Sequence, residues 1–266
     1  MKVIFITGAS TGLGKATARL FQSRGWKVIA TMRNPGKETE LVQLENVTVL
    51  PLDVTNVEQI DKTVKEVIAS GGVDVVFNNA GYGLMGPLES ATDEQIVRQI
   101  NTNLLGVIRV TKAFIPYFRE ERKGLFITTT SIGGLVTFPF SSMYHATKWA
   151  IEGWSESLAF ELNKMGIGIK TVSPGAISTD FIGRSLDMSS HPAYNEWVEQ
   201  MFSNTGDHMQ SGSSAEQIAE VVYDAATDGK DQLRYVAGDD AKALYAQRLQ
   251  MGDEAFRKQL GELFLK

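Results

Sequence analysis

The sequence predicts an α/β fold: a parallel β-sheet with helices on both of its faces. Three observations predict it. Short β-branched runs alternate with longer stretches of helical spacing, the pattern of strand–helix–strand units. A glycine-rich turn follows the first run directly, where such folds bend the chain into a helix. No internal repeat, low-complexity tract or linker divides the 266 residues, so the length is read as one domain spanning 1–266. The candidate strands, in order, are Val3–Thr7, Val28–Met32, Val47–Leu50, Val73–Phe77, Leu125–Thr129, Ile167–Val172 and Leu233–Ala237.

The helices between them are marked by their starts. Ala16, Ala18, Leu20 and Phe21 give the apolar face of the first. Thr92-x-x-Gln95 and Ser213-x-x-Glu216 read as capping boxes, in which a hydroxyl and a side chain three residues on each satisfy a free amide. Ser141 or Ser142 can cap a helix through about 144–163, with Ile151, Trp154, Leu158 and Leu162 on one face and Gly166 to end it. After Gly238 a single helix over about 239–264 closes the chain, with Ala243, Leu244, Leu249, Phe256 and Leu260 inward. The least regular stretch, about 181–211, is expected to cover a substrate. Residues 124–143 carry no charge and match a membrane span in length, but their Ser, Thr and Gly content and Pro139 read as a buried strand followed by a loop.

Composition narrows the function. Hydrophobic content of 43% and charged content of 21% are those of an ordinary soluble globule, and a net charge of −5 with no basic cluster argues against nucleic acid. No membrane association is expected. The absence of cysteine excludes disulfides, thiol nucleophiles and cysteine-ligated zinc, and no metal-ligand spacing is present. With a strand from Val3 no signal peptide is visible, and the expected location is cytoplasmic. Of the three histidines, His145 is expected to pack or meet solvent, and His191 and His208 to lie in surface loops.

The first strand runs into Thr7-Gly8-Ala9-Ser10-Thr11-Gly12-Leu13-Gly14. Glycines there let the backbone turn tightly and approach a pyrophosphate, whose charge meets the amides at the helix start. The second strand ends at Thr31-Met32-Arg33, about twenty residues on, where an acid would bind a ribose 2′-hydroxyl and an arginine a 2′-phosphate. The acid is missing and Arg33 is present, so NADP(H) is expected over NAD(H).

Tyr144 and Lys148 are four apart, on one face of a helix, and Ser131 lies thirteen residues upstream of the tyrosine. Such a trio can move a proton without histidine or metal. Bringing a phenol from about 10 to about 7 takes roughly 4 kcal/mol of differential stabilisation, which the Lys148 ammonium, with a cationic nicotinamide ring, is expected to supply. The spacing alone also fits a surface pair on an amphipathic helix.

Together, Thr7-Gly8-x3-Gly12-x-Gly14, Asn78-Asn79-Ala80-Gly81, Asn103, Ser131, Tyr144-x3-Lys148 and Pro174-Gly175 resemble the short-chain dehydrogenase/reductase family, in that family's order and across nearly the whole chain. The resemblance implies a Rossmann-type, doubly wound single domain with about seven parallel strands, and nicotinamide-dependent carbonyl/alcohol chemistry. It is to the shorter oxidoreductase branch, and more narrowly to bacterial ketone reductases akin to hydroxysteroid and retinol dehydrogenases, partly through Arg234-Tyr235-Val236-Ala237-Gly238. It implies Tyr144 as general acid/base, Lys148 as its electrostatic partner and ribose ligand, and Ser131 as hydrogen-bond partner of the substrate oxygen. Asn103 would anchor a water in a proton relay, with Asn101 set aside by its spacing to Gly106. The cofactor would be held by Gly8, Ser10, Thr11, Gly12, Leu13 and Gly14, by Arg33, by Asp53 at the adenine amine, and by Asn79, Ala80 and Gly81 under the ribose. Pro174, Gly175, Ile177 and Thr179 would lie along the nicotinamide. A homodimer or homotetramer paired through helices over about 93–118 and 142–164 is also implied.

The segments expected around the nicotinamide are apolar: Tyr82, Leu84 and Met85, then Leu135, Val136, Phe138 and Phe140, then Phe181, Ile182, Leu186, Met188, Trp197, Met201 and Phe202. They suggest a small hydrophobic ketone, aldehyde or secondary alcohol, although such residues also seal a covering helix to the core. Arg98 and Arg184 leave an acidic substrate open. The alternatives are a reductase of a polar carbonyl, acyl-carrier-bound or polyol, and a catalytically idle NADP-sensing protein.

Overall fold

The structure, a computed structural model, describes residues 1–178, 185–210 and 212–265. Thr179, Phe181, Ile182 and Arg184 therefore lie outside the described residues. The central sheet contains β1 (Val3–Ile6), β2 (Lys27–Met32), β3 (Val47–Pro51), β4 (Val75–Asn78), β6 (Gly124–Thr129), β7 (Ile167–Pro174) and β11 (Arg234–Ala237). Their order is β11-β7-β6-β4-β1-β2-β3, and every pairing is parallel. The chain winds outward from β1 to β3, returns to the other side of β1 as β4, and winds outward again. The crevice between the carboxyl ends of β1 and β4 is thus the topological switch point, where such sheets bind ligands.

Alternation along the strands builds a core on each face. Ile4, Ile6, Val28, Ala30, Val75 and Phe77 pack against α1 (Gly12–Ser23) and, with Ile127 and Val172, against the later helix Ala215–Thr227. Phe5, Ile29, Val76 and Phe126 point the other way, toward α2 (Val57–Ala69), α4 (Gly106–Glu121) and α5 (Ser142–Leu162). A third cluster sits at the carboxyl end of the sheet. There Ile132, Leu135 and Val136 are covered by Met201 of α6 (Asn195–Gln210), Ala241 of α8 (Asp239–Met251), and Phe256, Leu260 and Phe264 of α9 (Asp253–Leu265). The helix Ala215–Thr227 is α7.

Several expectations change. The single terminal helix is two, because Gly252 at φ +80° breaks it. The predicted box at Ser213 is shifted by one residue: Ser214 caps α7 with Gln217, while Ser213 serves in β10 (Ser213–Ser214) beside β8 (Ile177–Ser178). Ser141 precedes α5 without bonding its amides; its hydroxyl donates to Pro139 O instead. The stretch read as least regular holds α6, with His208 in that helix instead of a loop, and β9 (Leu186–Met188), paired to β5 (Gly83–Met85). Arg98 and Gln95 of α3 (Asp93–Ile100) hold Asp187 of β9, so Arg98 fastens the covering segment and is not free for an acidic substrate. The uncharged run is a strand, then a loop. Among the described residues no helix is long and apolar enough to cross a membrane.

Candidate active site

The glycine turn lies against the end of β4. Gly8 has φ +67°, and a Cβ there would come within 2.8 Å of Ala80 Cα. A Cβ on Gly14 would meet Gly8 O at 2.3 Å and Asn79 Nδ2 at 2.6 Å. Only glycine lets these backbones touch. The first bond within α1 runs from Lys15 N to Thr11 O, so the amides of Gly12, Leu13 and Gly14 precede it. Thr11 makes no side-chain cap, the first turn holds no acid, and Ser10 and Thr11 are exposed. The helix end is therefore open to an anion, as a pyrophosphate requires.

Asn79 joins this turn to β6. Its Nδ2 donates to Thr7 O and Gly8 O at 3.2 and 3.1 Å, and Thr7 Oγ1 accepts from the amides of Asn79 and Ala80. Thr129 Oγ1, at the end of β6, donates to Asn79 Oδ1 at 3.3 Å. Lys148 Nζ donates to Thr129 O at 3.0 Å. A continuous chain of hydrogen bonds thus runs from β1 through β4 and β6 to α5.

Ser131 follows β6 as the cap of a short turn, Ile132–Gly134, and its Oγ accepts from Gly133 N at 2.9 Å. Tyr144 and Lys148 lie one above the other on α5, with the ammonium 5.6 Å from the centroid of the phenol ring. Ser131 lies beside the phenol and favours its ionised form. The structure thus brings Ser131, Tyr144 and Lys148 together. Burial holds the Tyr144 phenol above its ordinary value, with the neighbouring Ser131 working the other way. Burial also pushes the Lys148 ammonium down to about 8, against the support of the Glu152 carboxylate. The trio holds a neutral phenol at pH 7, suited to giving a proton.

Asn103 stands in a π-turn, Asn101–Leu105, that interrupts α3 and α4 and turns the side chain inward. It is 1% exposed, and its amide pairs with the backbone of Tyr82: Oδ1 accepts from N at 3.1 Å and Nδ2 donates to O at 2.7 Å. Asn101 is only half-buried. Arg33 follows β2 and is exposed. Glu38, the next acid along the chain, is taken up by Lys15 at 3.2 Å and by the amides of Glu40 and Leu41. Asp53 is half-buried, with Oδ1 accepting from the amide and hydroxyl of Thr55, and Asn56 caps α2 in its place. Pro174 ends β7, Gly175 N donates to Ala237 O, and Ile177 pairs with Ser213.

Two supporting residues went unread in the sequence. His145, expected to pack or meet solvent, is buried and clamps the loop that carries Ser131. Its Nε2 accepts from Phe138 N at 2.9 Å, so the proton lies on Nδ1, 2.6 Å from Gly133 O. Asp240, in the first turn of α8, accepts from Ala176 N at 2.8 Å and so fixes the chain after Pro174-Gly175. Adjacency to Tyr144 was a usable signal for the first, and the acidic pair after Gly238 for the second. Of the apolar set, Leu135, Val136 and Met201 are buried in the third core cluster, whereas Met188 and Trp197 are exposed on the covering segment.

The model of the short chain dehydrogenase family matches residues 2–189. A 3-ketodihydrosphingosine reductase from Bacteroides thetaiotaomicron is 41% identical over 181 residues, 68% of this chain and 65% of that protein. The crystal structure of a short-chain dehydrogenase from Streptomyces avermitilis superposes with a TM-score of 0.86 at 33% identity, covering 98% of this chain and 95% of its own. ElxO with NADP bound superposes with a TM-score of 0.76 at 28% identity, over 89% of this chain and 96% of that one.

Replacing His145 with Phe leaves the Phe138 amide and the Gly133 carbonyl without their ring partner. Urea unfolding is expected to show a loss of about 2 kcal/mol. An unchanged midpoint would contradict the clamp.

Proposed function

The chain belongs to the short-chain dehydrogenase family, a family of nicotinamide-dependent oxidoreductases, and from that premise we propose that it reduces a hydrophobic ketone or aldehyde with NADPH, Tyr144 serving as the acid. The observation that carries this reading is the convergence of Ser131, Tyr144 and Lys148 at the end of β6, bonded through Thr129 and Asn79 to the glycine turn. The open amides of Gly12–Gly14, and glycines that no side chain could replace at the turn, fit a dinucleotide pyrophosphate. Ser10, Thr11, Asp53, Asn79, Ala80, Gly81, Pro174, Gly175 and Ile177 would complete its cradle.

Bound NADPH would supply a hydride to the carbonyl carbon. The chain's own part is at the oxygen. Ser131 Oγ holds it by a hydrogen bond, and Tyr144 gives it a proton as negative charge develops there. The Lys148 ammonium supports the phenolate left behind. Asn103, through Tyr82, fixes the segment between the nucleotide and the covering β5–β9 pair. The alcohol then carries the hydride on carbon and the proton on oxygen, and the reverse reaction oxidises it.

The preference for NADP(H) rests on Arg33 and on the engagement of Glu38 elsewhere. NADP bound to ElxO agrees with it. The substrate class rests on the apolar Met85, Phe138, Phe140 and Phe202 beside the loop after Ser131 and on the ketone named for the sphingoid reductase. Phe160 and Trp149, exposed on α5, support a homo-oligomer paired through that helix.

Across a panel of ketones and aldehydes, NADPH consumption is expected with apolar members, and activity confined to sugars or acyl carriers would overturn the substrate class. Tyr144→Phe is expected to lower kcat by ~100-fold or more while NADPH affinity, read by fluorescence, stays within a few-fold of the wild type. Unchanged turnover in that variant would refute the assigned acid. Arg33→Ala is expected to reduce kcat/KM for NADPH but not for NADH. An equal loss with both cofactors would remove Arg33 from the phosphate site.

A further inference from the structure

Beneath the catalytic strand ends lies a buried ionic cluster that the chemistry above does not use. Glu152 is 4% exposed and stands one helical turn beyond Lys148 on α5. Its Oε1 accepts from Thr130 Oγ1 at 2.6 Å and from Ser173 Oγ at 2.9 Å. Its Oε2 accepts from Arg234 Nε at 2.8 Å and from Thr171 Oγ1 at 3.3 Å. One carboxylate therefore ties α5 to β6, β7 and β11. Its partners are placed tellingly: Thr130 lies between Thr129, whose carbonyl receives the Lys148 ammonium, and Ser131, while Ser173 precedes Pro174-Gly175.

A buried carboxylate is costly to desolvate, and an apolar residue of similar shape would hold a helix on a sheet as well or better. The charge therefore calls for a role beyond packing. The groups around it define that role. Lys148 lies on the same helix toward the reacting oxygen, and Glu152 supports its ammonium form against burial. Arg234 faces Glu152 from β11, with Glu156 at 3.7 Å and Tyr245 beyond it. From β6 and β7 the cluster meets only hydroxyls, since Lys170 of β7 turns to Asp228 on the other face. Three hydroxyl donors therefore remain on the Glu152 carboxylate when its arginine is removed.

We propose that Glu152 is a positioning residue for the reduction: its carboxylate sustains the ammonium of Lys148 and fixes the strand ends that carry Ser131 and Pro174, while Arg234 sets how strongly it does so. This inference rests on the catalytic reading of Lys148 given above. It predicts opposite effects for the two members of one ion pair. Removing the anion disfavours the neighbouring cation, and removing Arg234 leaves the anion less neutralised and favours it.

The test titrates Lys148 by NMR in protein carrying 13Cε-lysine, the resonance being assigned by its absence in Lys148→Arg. Glu152→Gln is expected to lower the Lys148 midpoint by ~0.5 pH unit or more, and Arg234→Gln to raise it. Glu152→Asp should return most of the shift, and Arg234→Lys should leave the midpoint in place. The alkaline limb of carbonyl reduction should move with the midpoint in each variant. Midpoints that stay fixed, or fall together in Glu152→Gln and Arg234→Gln as general loosening of the fold would make them, overturn the proposal. If Glu152→Gln does not fold, the contrast between Arg234→Gln and Arg234→Lys decides alone. Opposed shifts in a wild-type background without carbonyl turnover would sink the reductase reading and leave the electrostatic one standing.

Discussion

Asn79 is the joint on which the site depends. A parallel sheet delivers the ends of all its strands to one edge, but it does not fix the loops that follow them. The amide side chain of Asn79 does this locally, donating to the carbonyls of Thr7 and Gly8 and accepting from Thr129. The turn that would meet the pyrophosphate and the strand that carries Ser131 are thereby held in one frame. Gly14 exists for the same contact, since any side chain there would displace Asn79 or the Gly8 carbonyl. The glycine turn and Lys148 are parts of one hydrogen-bonded structure.

Burial then sets the chemistry. Burial raises the phenol of half-buried Tyr144 and weakens the hold of buried Lys148 on its proton. A phenol in that condition is an acid waiting for a developing oxyanion, which suits reduction of a carbonyl near neutral pH. The loop behind it is kept rigid by a neutral histidine, His145, bonded at both ring nitrogens. The third core cluster, supplied by α6, α8 and α9, closes over that loop. The terminal helices thus belong to the site as much as to the stability of the fold.

Much of this was legible in the residues. Strand alternation at Ile4, Phe5 and Ile6 or at Val28, Ile29 and Ala30 states which face each side chain takes, and the glycine turn states where the sheet reverses. The spacing of Tyr144 and Lys148 predicts a shared helix face, and the structure has it. What was missed depends on contacts distant in sequence. Arg98 was read as open to a substrate because its partner Asp187 lies 89 residues away. The break at Gly252 was visible as a glycine but was overridden by apolar spacing on both sides. Ser213 and Ser214 are adjacent equals in sequence, and only the pairing of Ser213 with Ile177 decides which of them caps α7.

The central claim is that hydride and proton arrive at one carbonyl held between Ser131, Tyr144 and the nucleotide. The most direct measurement follows the hydride with NADPH carrying deuterium at both C4 positions and a ketone that the enzyme consumes. The account predicts an alcohol with deuterium on its carbinol carbon and exchangeable solvent hydrogen on its oxygen. Ketone consumed without deuterium at that carbon would contradict it.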